Sequence, residues 1–418
     1  MVDFFIGKFI EEANERNKKK LLLASIIVNL GLLAFFKYYN FFIDSWIDLF
    51  KSIGYNSPNN LYLNIILPVG ISFYTFQTMS YTIDIYKGKI KSNKEFISFA
   101  AYVSFFPQLV AGPIERASSL LPQLTKKRIF HSEQISVGFQ LILWGLFKKV
   151  VIGDNLSVGV DKVFSEYHLF DGGTLLLTLF LFSFQIYCDF SGYSDIAIGI
   201  SKTLGIELKS NFKFPYFSRN IGEFWRRWHI SLSTWFRDYI YFPIGGSRHG
   251  KLRSILNIFI IFLVSGFWHG ANWTFVFWGL IHAMLFIPGF IFNFNRNYLG
   301  TIAQNKFFPN FREIFQMVYL FIVVSITWTF FRSNSISDAF HYLEIILTNF
   351  SITNIQNKYY IIFVFILVLI EWFMRNDERH PFKINNSFLR WCVYLIITYS
   401  IFIELQLINS NSFIYFQF

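Results

Sequence analysis

The chain has 418 residues, of which 54% are hydrophobic and only 15% charged, and its mean hydropathy is +0.41. Because apolar runs near the ~20 residues that cross a bilayer recur along its length, this composition excludes a soluble globule and indicates a polytopic membrane protein. The net charge of +11 would raise the question of nucleic acid in a soluble protein. Here the basic residues cluster in loops, at Arg16 to Lys20, Lys87 to Lys94, Lys126 to Arg128 and Arg226 to Arg253, as they do on the cytoplasmic side of a membrane protein.

The opening MVDFFIGKFIEEANERNKKK carries charge where a signal peptide has its apolar run, so no removable leader is read and the first span is Leu21 to Phe36. Hydropathy predicts about eight to eleven membrane-embedded segments. They fall at 21–37, 41–53, 61–86, 96–110, 135–152, 174–200, 254–268, 272–291, 314–331, 358–374 and 389–408. At about 1.5 Å per residue, 41–53 and 96–110 are too short to cross and are expected to be re-entrant or interfacial. Pro68, Pro107, Gly112 and Pro113 mark breaks that suit a thick, cavity-bearing bundle. The segment 135–152 ends in Lys148 and Lys149 and is expected to lie along the interface. No internal repeat or low-complexity linker is evident, which argues against a repeat-built transporter, and 1–418 reads as a single domain with its membrane region from residue 20 onward. Cys188 and Cys392 lie in apolar segments without the spacing of a disulfide framework or a metal site.

Polar islands interrupt the apolar background, and an ionisable group at membrane depth is a functional hypothesis by default. In LPVGISFYTFQTMSYTIDIYKG, 67–88, Gln77, Ser80, Thr82 and Asp84 recur at near-helical spacing, which fits hydrogen-bonded helix packing better than chemistry. FPQLVAGPIER, 105–116, reads as a structural corner before Glu115 and Arg116. In QIYCDFSGYSDIAIG, 185–199, Asp189 and Asp195 interrupt a clean span. Each aspartate costs about 2.5–3.5 kcal/mol to insert, so each requires a polar partner. No strand–GxSxG–helix context makes a nucleophile of the neighbouring serines. The partners expected are the arginines of NIGEFWRRWHISLSTWFRDYIYFPIGGSRHGKLR, 220–253. Read as one helix, that stretch gathers Trp225, Trp228, Trp235 and Tyr239 on a face with arginines beside them, as in an interfacial helix ended by Gly245 and Gly246. The reading accounts for the aromatics and leaves His229 unexplained.

A second histidine stands in GFWHGANWTF, 266–275, within a run from Ile255 to Phe290 that has no Asp, Glu, Lys or Arg. The run is too long for one span and barely long enough for two, so the chain is expected to break near Gly266–Gly270 and to place His269 in the protein interior. A neutral imidazole there can act as general base toward a hydroxyl. A lone core histidine is more often structural, but Trp268, Asn272 and Trp273 flank this one and His229 offers a second.

FWRRWHISLSTWFRDYIYFPIGGSR, SGFWHGANWTFVFWGLIHA, FPQLVAGPIER and DFSGYSDIAIG together resemble the alginate O-acetyltransferase branch of the membrane-bound O-acyltransferase family, over roughly residues 60 to 290, and the ending FIYFQF also looks like that branch. The resemblance implies an all-α polytopic bundle with re-entrant segments and a central funnel or tunnel, in a bacterial cytoplasmic membrane. By position, His269 matches the family's catalytic histidine and His229 its second characteristic histidine. The implied reaction passes an acetyl group from a cytoplasmic thioester, acetyl-CoA, to a hydroxyl at the outer face, with no bound cofactor or metal. The end product would be an O-acetylated extracellular or cell-wall polysaccharide, reached through an exported acetyl-accepting partner protein. Trp268, Asn272, Trp273 or His229 would donate to the oxyanion. Arg226, Arg227, Arg237 and Arg248 would steer the donor's phosphates or hold topology, with Asp189 and Asp195 supporting them. Either histidine can be the base. A teichoic acid D-alanyl transferase shares the WHISLS-like stretch and is the nearest rival, whereas a polysaccharide or lipid transporter would show repeats and dispersed charges. Relatives carry further apolar segments ahead of the equivalent of VDFFIGKFIEEANERNKKK, so the N-terminus reads as short.

Overall fold

The computed structural model describes residues 1–55, 61–109, 112–304, 306–351 and 360–407. Residues 110 and 111 of FPQLVAGPIER, the ends of the segments 358–374 and 389–408, and the terminal FIYFQF lie outside the described residues. All regular structure among the described residues is helical, and the chain divides into two compact units, Met1–Ile129 and Phe130–Phe418.

In the first unit, α1 (Val2–Glu12), α2 (Glu15–Leu33), α3 (Tyr39–Ser52) and α4 (Ile71–Tyr86) are followed by the short α5 (Phe96–Val103), α6 (Phe106–Leu109) and α7 (Ala117–Thr125). The segment 41–53 is not a separate re-entrant piece. A wide π-type turn at Ala34–Tyr38 joins α2 to α3 without a break, giving one helical run over Glu15–Ser52, because no Pro or Gly interrupts it there. Asp3 of α1 accepts hydrogen bonds from Ser25 (2.5 Å) and Asn29 (2.9 Å) of α2, and Thr78 of α4 donates to Asn29 at 2.9 Å. Side-chain glue of this kind joins helices where lipid supplies no hydrophobic driving force, and of the residues expected to supply it in the 67–88 island Thr82 meets Ser25 of α2 at 2.9 Å.

The second unit begins with α8 (Ser132–Leu146), a π-type stretch Phe147–Asp154 and α9 (Asn155–Ser165), then α10 (Gly172–Thr203). The stretch 135–152 belongs to a 34-residue apolar run over Ser132–Ser165 and is not an interfacial helix. Its lysines face inward: Lys148 is 3% exposed and pairs with Asp195 of α10 at 2.6 Å. Glycines permit the close approach of α8 to α10, since a Cβ on Gly145 would lie 2.5 Å from the Gly192 carbonyl oxygen and one on Gly199 would lie 2.5 Å from that of Gly138. The remaining elements are the short α11 (Ile221–Arg227) and α12 (Ile230–Phe236), then α13 (Gly250–His269), α14 (Trp273–Ile291), α15 (Phe311–Arg332), α16 (Ile336–Thr348), α17 (Tyr360–Met374) and α18 (Ser387–Leu407). Buried polar contacts tie α10 to three of them, through Ser183 to Ser325 (2.8 Å), Tyr187 to Glu371 (2.7 Å) and Tyr342 to the Leu175 carbonyl (2.8 Å). Among the described residues seven helices are long and apolar enough to cross a bilayer, and the protein is a multi-pass membrane protein.

Candidate active site

The stretch 220–253 does not form one interfacial helix. Asn220 caps α11 by accepting the Glu223 N–H at 2.8 Å, the helix ends at Arg227, and His229 stands between α11 and α12 with φ 42° and ψ 56°. A left-handed backbone at a non-glycine residue costs ~1–3 kcal/mol and persists only where its surroundings impose it. Asn211 imposes it here. Its carbonyl accepts the Ile230 N–H (2.9 Å), its side-chain oxygen accepts the Ser231 hydroxyl (2.6 Å), and its amide donates to Ser194 of α10 (3.1 Å). The Lys213 N–H adds a bond to the Arg227 carbonyl at 3.0 Å. The helix is therefore kinked against α10, which turns His229 into the interior. The turn after it uses Gly245 and Gly246 at φ 108° and 56°, as expected.

His229 is 1% exposed, and its ring lies edge-on to Phe190 with centroids 4.7 Å apart. Neither ring nitrogen has a hydrogen-bond partner among the described residues, and burial pushes the imidazole down to about 3, which keeps it neutral. His269 is the last residue of α13, which ends there because Gly270 is extended and Asn272 starts α14. The break expected at Gly266–Gly270 is thus present. His269 is buried, with ring centroids 5.1 Å from Trp268, 5.3 Å from Trp278 and 5.3 Å from Phe331. Trp268 is also 6.0 Å from His229, so its indole is packed against both imidazoles. Of the three residues flanking His269, Trp268 is the one so placed. Asn272 spends its side chain on the Thr274 N–H (3.0 Å) and the Asn334 carbonyl (3.0 Å), and Trp273 is 56% exposed.

Asp189 and Asp195 take lysine partners where arginines were expected. Asp195 pairs with Lys148 and Asp189 with Lys149, which lie on the stretch packed against α10. Arg227 pairs with Glu223 at 2.7 Å, Arg237 with Asp238 at 2.8 Å, and Arg226 donates to the carbonyls of Asn295 and Tyr298, each at 2.7 Å. The lysine pair at 148–149 inside an apolar run was the sequence signal for these partners. Arg226 and Arg237 nevertheless converge with Arg296 around a cavity of about 510 Å³, whose walls include Trp225, Phe262 and Ser265. Ser265 is one helical turn before His269 on α13. Guanidinium groups around a partly apolar cavity suit a ligand with an anionic end and an apolar arm.

Arg296 and His282 escaped the sequence reading. His282 of α14 is fully buried between Trp278 (4.6 Å) and Trp225 (5.1 Å), and it contacts the Thr327 hydroxyl of α15 at 2.9 Å. Its only signal was a histidine in the apolar stretch WGLIHA, one helical turn beyond Trp278.

The model of the membrane-bound O-acyltransferase family matches residues 89–331. The chain is 38% identical over 336 residues to the probable alginate O-acetylase of Pseudomonas syringae pv. tomato, covering 80% of this chain and 62% of that one. It is 36% identical to the peptidoglycan O-acetyltransferase of Helicobacter pylori, covering 82% of this chain and 67% of the relative. Identity to the teichoic acid D-alanyltransferase of Bacillus subtilis is 29%, over 56% of this chain and 61% of that one. The chain spans 62–66% of the length of the Pseudomonas relatives named as probable alginate O-acetylases from P. syringae and P. putida, just under two thirds.

Proposed function

We propose that this chain, which belongs to the membrane-bound O-acyltransferase family, transfers an acetyl group from a thioester donor to a hydroxyl on the way to an extracellular or cell-wall polysaccharide. The observation that carries the reading is the packing of His229 and His269 against one indole, beside a cavity rimmed by Arg226, Arg237 and Arg296. In the proposed step the acceptor oxygen attacks the thioester carbonyl while His269 takes its proton. The tetrahedral oxyanion collapses, the C–S bond breaks, and the thiolate leaves with the proton returned from His269. In this reading the Trp268 indole N–H donates to the oxyanion. His229 is neutral and buried on the same indole, so it can take the base role instead, with His269 orienting it. The arginines of the cavity suit a phosphate-bearing donor such as acetyl-CoA. A cytoplasmic membrane location with the basic loops inside, and an exported acetyl-accepting partner protein, complete the proposal.

Two relatives at 36–38% identity carry acetyl transfer to a glycan in their names, against 29% for the D-alanyl transferase, and this favours acetyl over D-alanyl. The test is the O-acetyl content of the surface polysaccharide in cells carrying the wild-type chain, His269→Ala, His229→Ala or a deletion, at equal membrane levels. Deletion and His269→Ala should both abolish O-acetylation. Full acetylation with His269→Ala makes the residue structural and overturns the assignment, and loss of D-alanyl ester instead of acetyl establishes the rival reaction.

A further inference from the structure

We infer that Glu378 and Arg379, in the connection between α17 and α18, are positioning residues for His229. They brace the segment 208–213, which holds that histidine in its buried, left-handed setting. The inference rests on the acyl-transfer reading for its bearing on catalysis, and it adds residues that set the geometry of the site from a distant part of the chain.

The segment 208–213 has no helix of its own, yet it holds His229 from several directions. The Asn211 carbonyl and side-chain oxygen accept the Ile230 N–H and the Ser231 hydroxyl, on the two residues that follow the histidine. Phe212 lies nearly parallel to the imidazole, with ring centroids 6.5 Å apart. The Lys213 N–H bonds the Arg227 carbonyl, and the chain then enters a second strained position, Phe214 at φ 49°. A non-glycine residue keeps such a backbone only while its surroundings over-determine it, so an irregular segment in this role requires bracing of its own.

That bracing comes from the 375–380 stretch. Glu378 accepts the Ser210 hydroxyl at 2.9 Å and pairs with Lys213 at 3.1 Å, so its carboxylate grips the residues on either side of Asn211 and Phe212. Arg379 donates to the Leu208 carbonyl at 2.6 Å. The stretch is itself fixed: Arg375 donates to the Lys306 carbonyl at 2.8 Å, and the Asp377 side chain accepts the Arg379 N–H at 3.1 Å. Burial acts to raise the Glu378 carboxyl, but its own N–H, the Lys213 charge and the Ser210 hydroxyl together hold it below the ordinary carboxylate value. Ionised, it makes charge-assisted bonds about twice as strong as neutral ones. Contacts that served the fold alone would loosen the whole unit when cut, whereas contacts that place His229 loosen that position first.

The test introduces His229→Cys into the full-length chain together with Cys392→Ser. Labelling by N-ethylmaleimide in intact membranes is followed by mass spectrometry, with the fully buried Cys188 of α10 as internal control. Adding Glu378→Ala should speed labelling at position 229 by at least ~10-fold and leave that of Cys188 unchanged. Glu378→Gln, which keeps an oxygen for the Ser210 hydroxyl, should recover part of the protection. Arg379→Ala, which frees the Leu208 carbonyl, should also speed labelling and serves if Glu378→Ala fails to reach the membrane. In cells whose chain keeps His229 and Cys392, Glu378→Ala should lower the O-acetyl content of the surface polysaccharide ~10-fold at equal membrane levels, as a small misplacement far from the chemistry does. Glu378→Gln should again recover in part. Labelling at position 229 that does not change, or that rises equally with Cys188, overturns the inference, as does unchanged O-acetylation in Glu378→Ala where deletion abolishes it. A deletion that leaves O-acetylation unchanged overturns the acyl-transfer reading, and the labelling contrast then still decides whether Glu378 and Arg379 place His229.

Discussion

At the scale of single residues, His229 combines a strained backbone with a buried, neutral ring, and the two properties can be tested apart. At φ 42° an alanine meets the same left-handed penalty as histidine, whereas glycine does not. His229→Gly should therefore be more stable than His229→Ala by ~1 kcal/mol in thermal unfolding of the solubilised protein, while both lose acetyl transfer. Equal melting of the two would mean that the strain is relieved elsewhere. The ring makes a separate prediction. Its folded value of about 3 lies below the ordinary 6.5, so the unfolded chain takes up a proton that the folded chain refuses as pH falls below 6.5. His229 costs no stability above that pH and progressively more from pH 6.5 down toward 3. The melting temperature of the wild type should accordingly fall further between pH 7 and pH 5 than that of His229→Phe, and parallel curves would count against a buried neutral ring. His269, His229 and Trp268 were legible in the sequence because a histidine beside tryptophan stands out against an apolar background. His282 has no adjacent tryptophan in the sequence, and its neighbours Trp225 and Thr327 come from other helices.

At the scale of helices, the contact between α8 and α10 joins close backbone approach with buried charge. The carbonyls of Gly145 and Gly192 leave no room for a side chain, and Gly145→Leu should cost ~2–3 kcal/mol by overpacking, read as a lower melting temperature and loss of monodisperse protein. The Lys148–Asp195 pair lies along the same contact. Removing one partner of a buried pair strands a charge, so Lys148→Met should destabilise by ~3–5 kcal/mol, and Lys148→Met combined with Asp195→Leu should recover most of the loss. A double variant no better than the single would show that the pair does not act as a unit. The sequence reading expected polar partners for Asp189 and Asp195 but chose the arginines, because hydropathy does not say which helix face an inward lysine takes. It also read 220–253 as one helix, because the bonds that kink it come from Asn211 and lie outside the stretch itself.

At the scale of the molecule, α11, α13, α14 and the turn at 293–296 converge on the arginine-rimmed cavity, which no single segment contains. Arg226 is held by backbone carbonyls of the 295–298 turn, whereas Arg296 makes no ion pair among the described residues and is exposed. Arg296→Ala should thus raise KM for acetyl-CoA by ~10-fold while leaving KM for a phosphate-free acetyl thioester within twofold, since each charge-assisted contact is worth about 1.5–3 kcal/mol at most when formed in full. An equal rise for both donors would assign Arg296 to folding rather than to phosphate binding.

The sequence by itself determined the membrane class and the break at Gly266–Gly270, and it singled out His229 and His269 as candidates. Mean hydropathy, helix-breaking residues and motif spacing are local properties, and they survive without knowledge of what packs where. The tertiary structure decided which lysines receive the aspartates, why His229 turns inward, and that His282 packs on Trp225, which lines the arginine-rimmed cavity, and on Trp278, which packs on His269. These depend on which faces of distant helices meet. In an apolar chain many faces are equally greasy, so buried polar contacts and glycine-sized gaps make the choice rather than hydrophobic pattern.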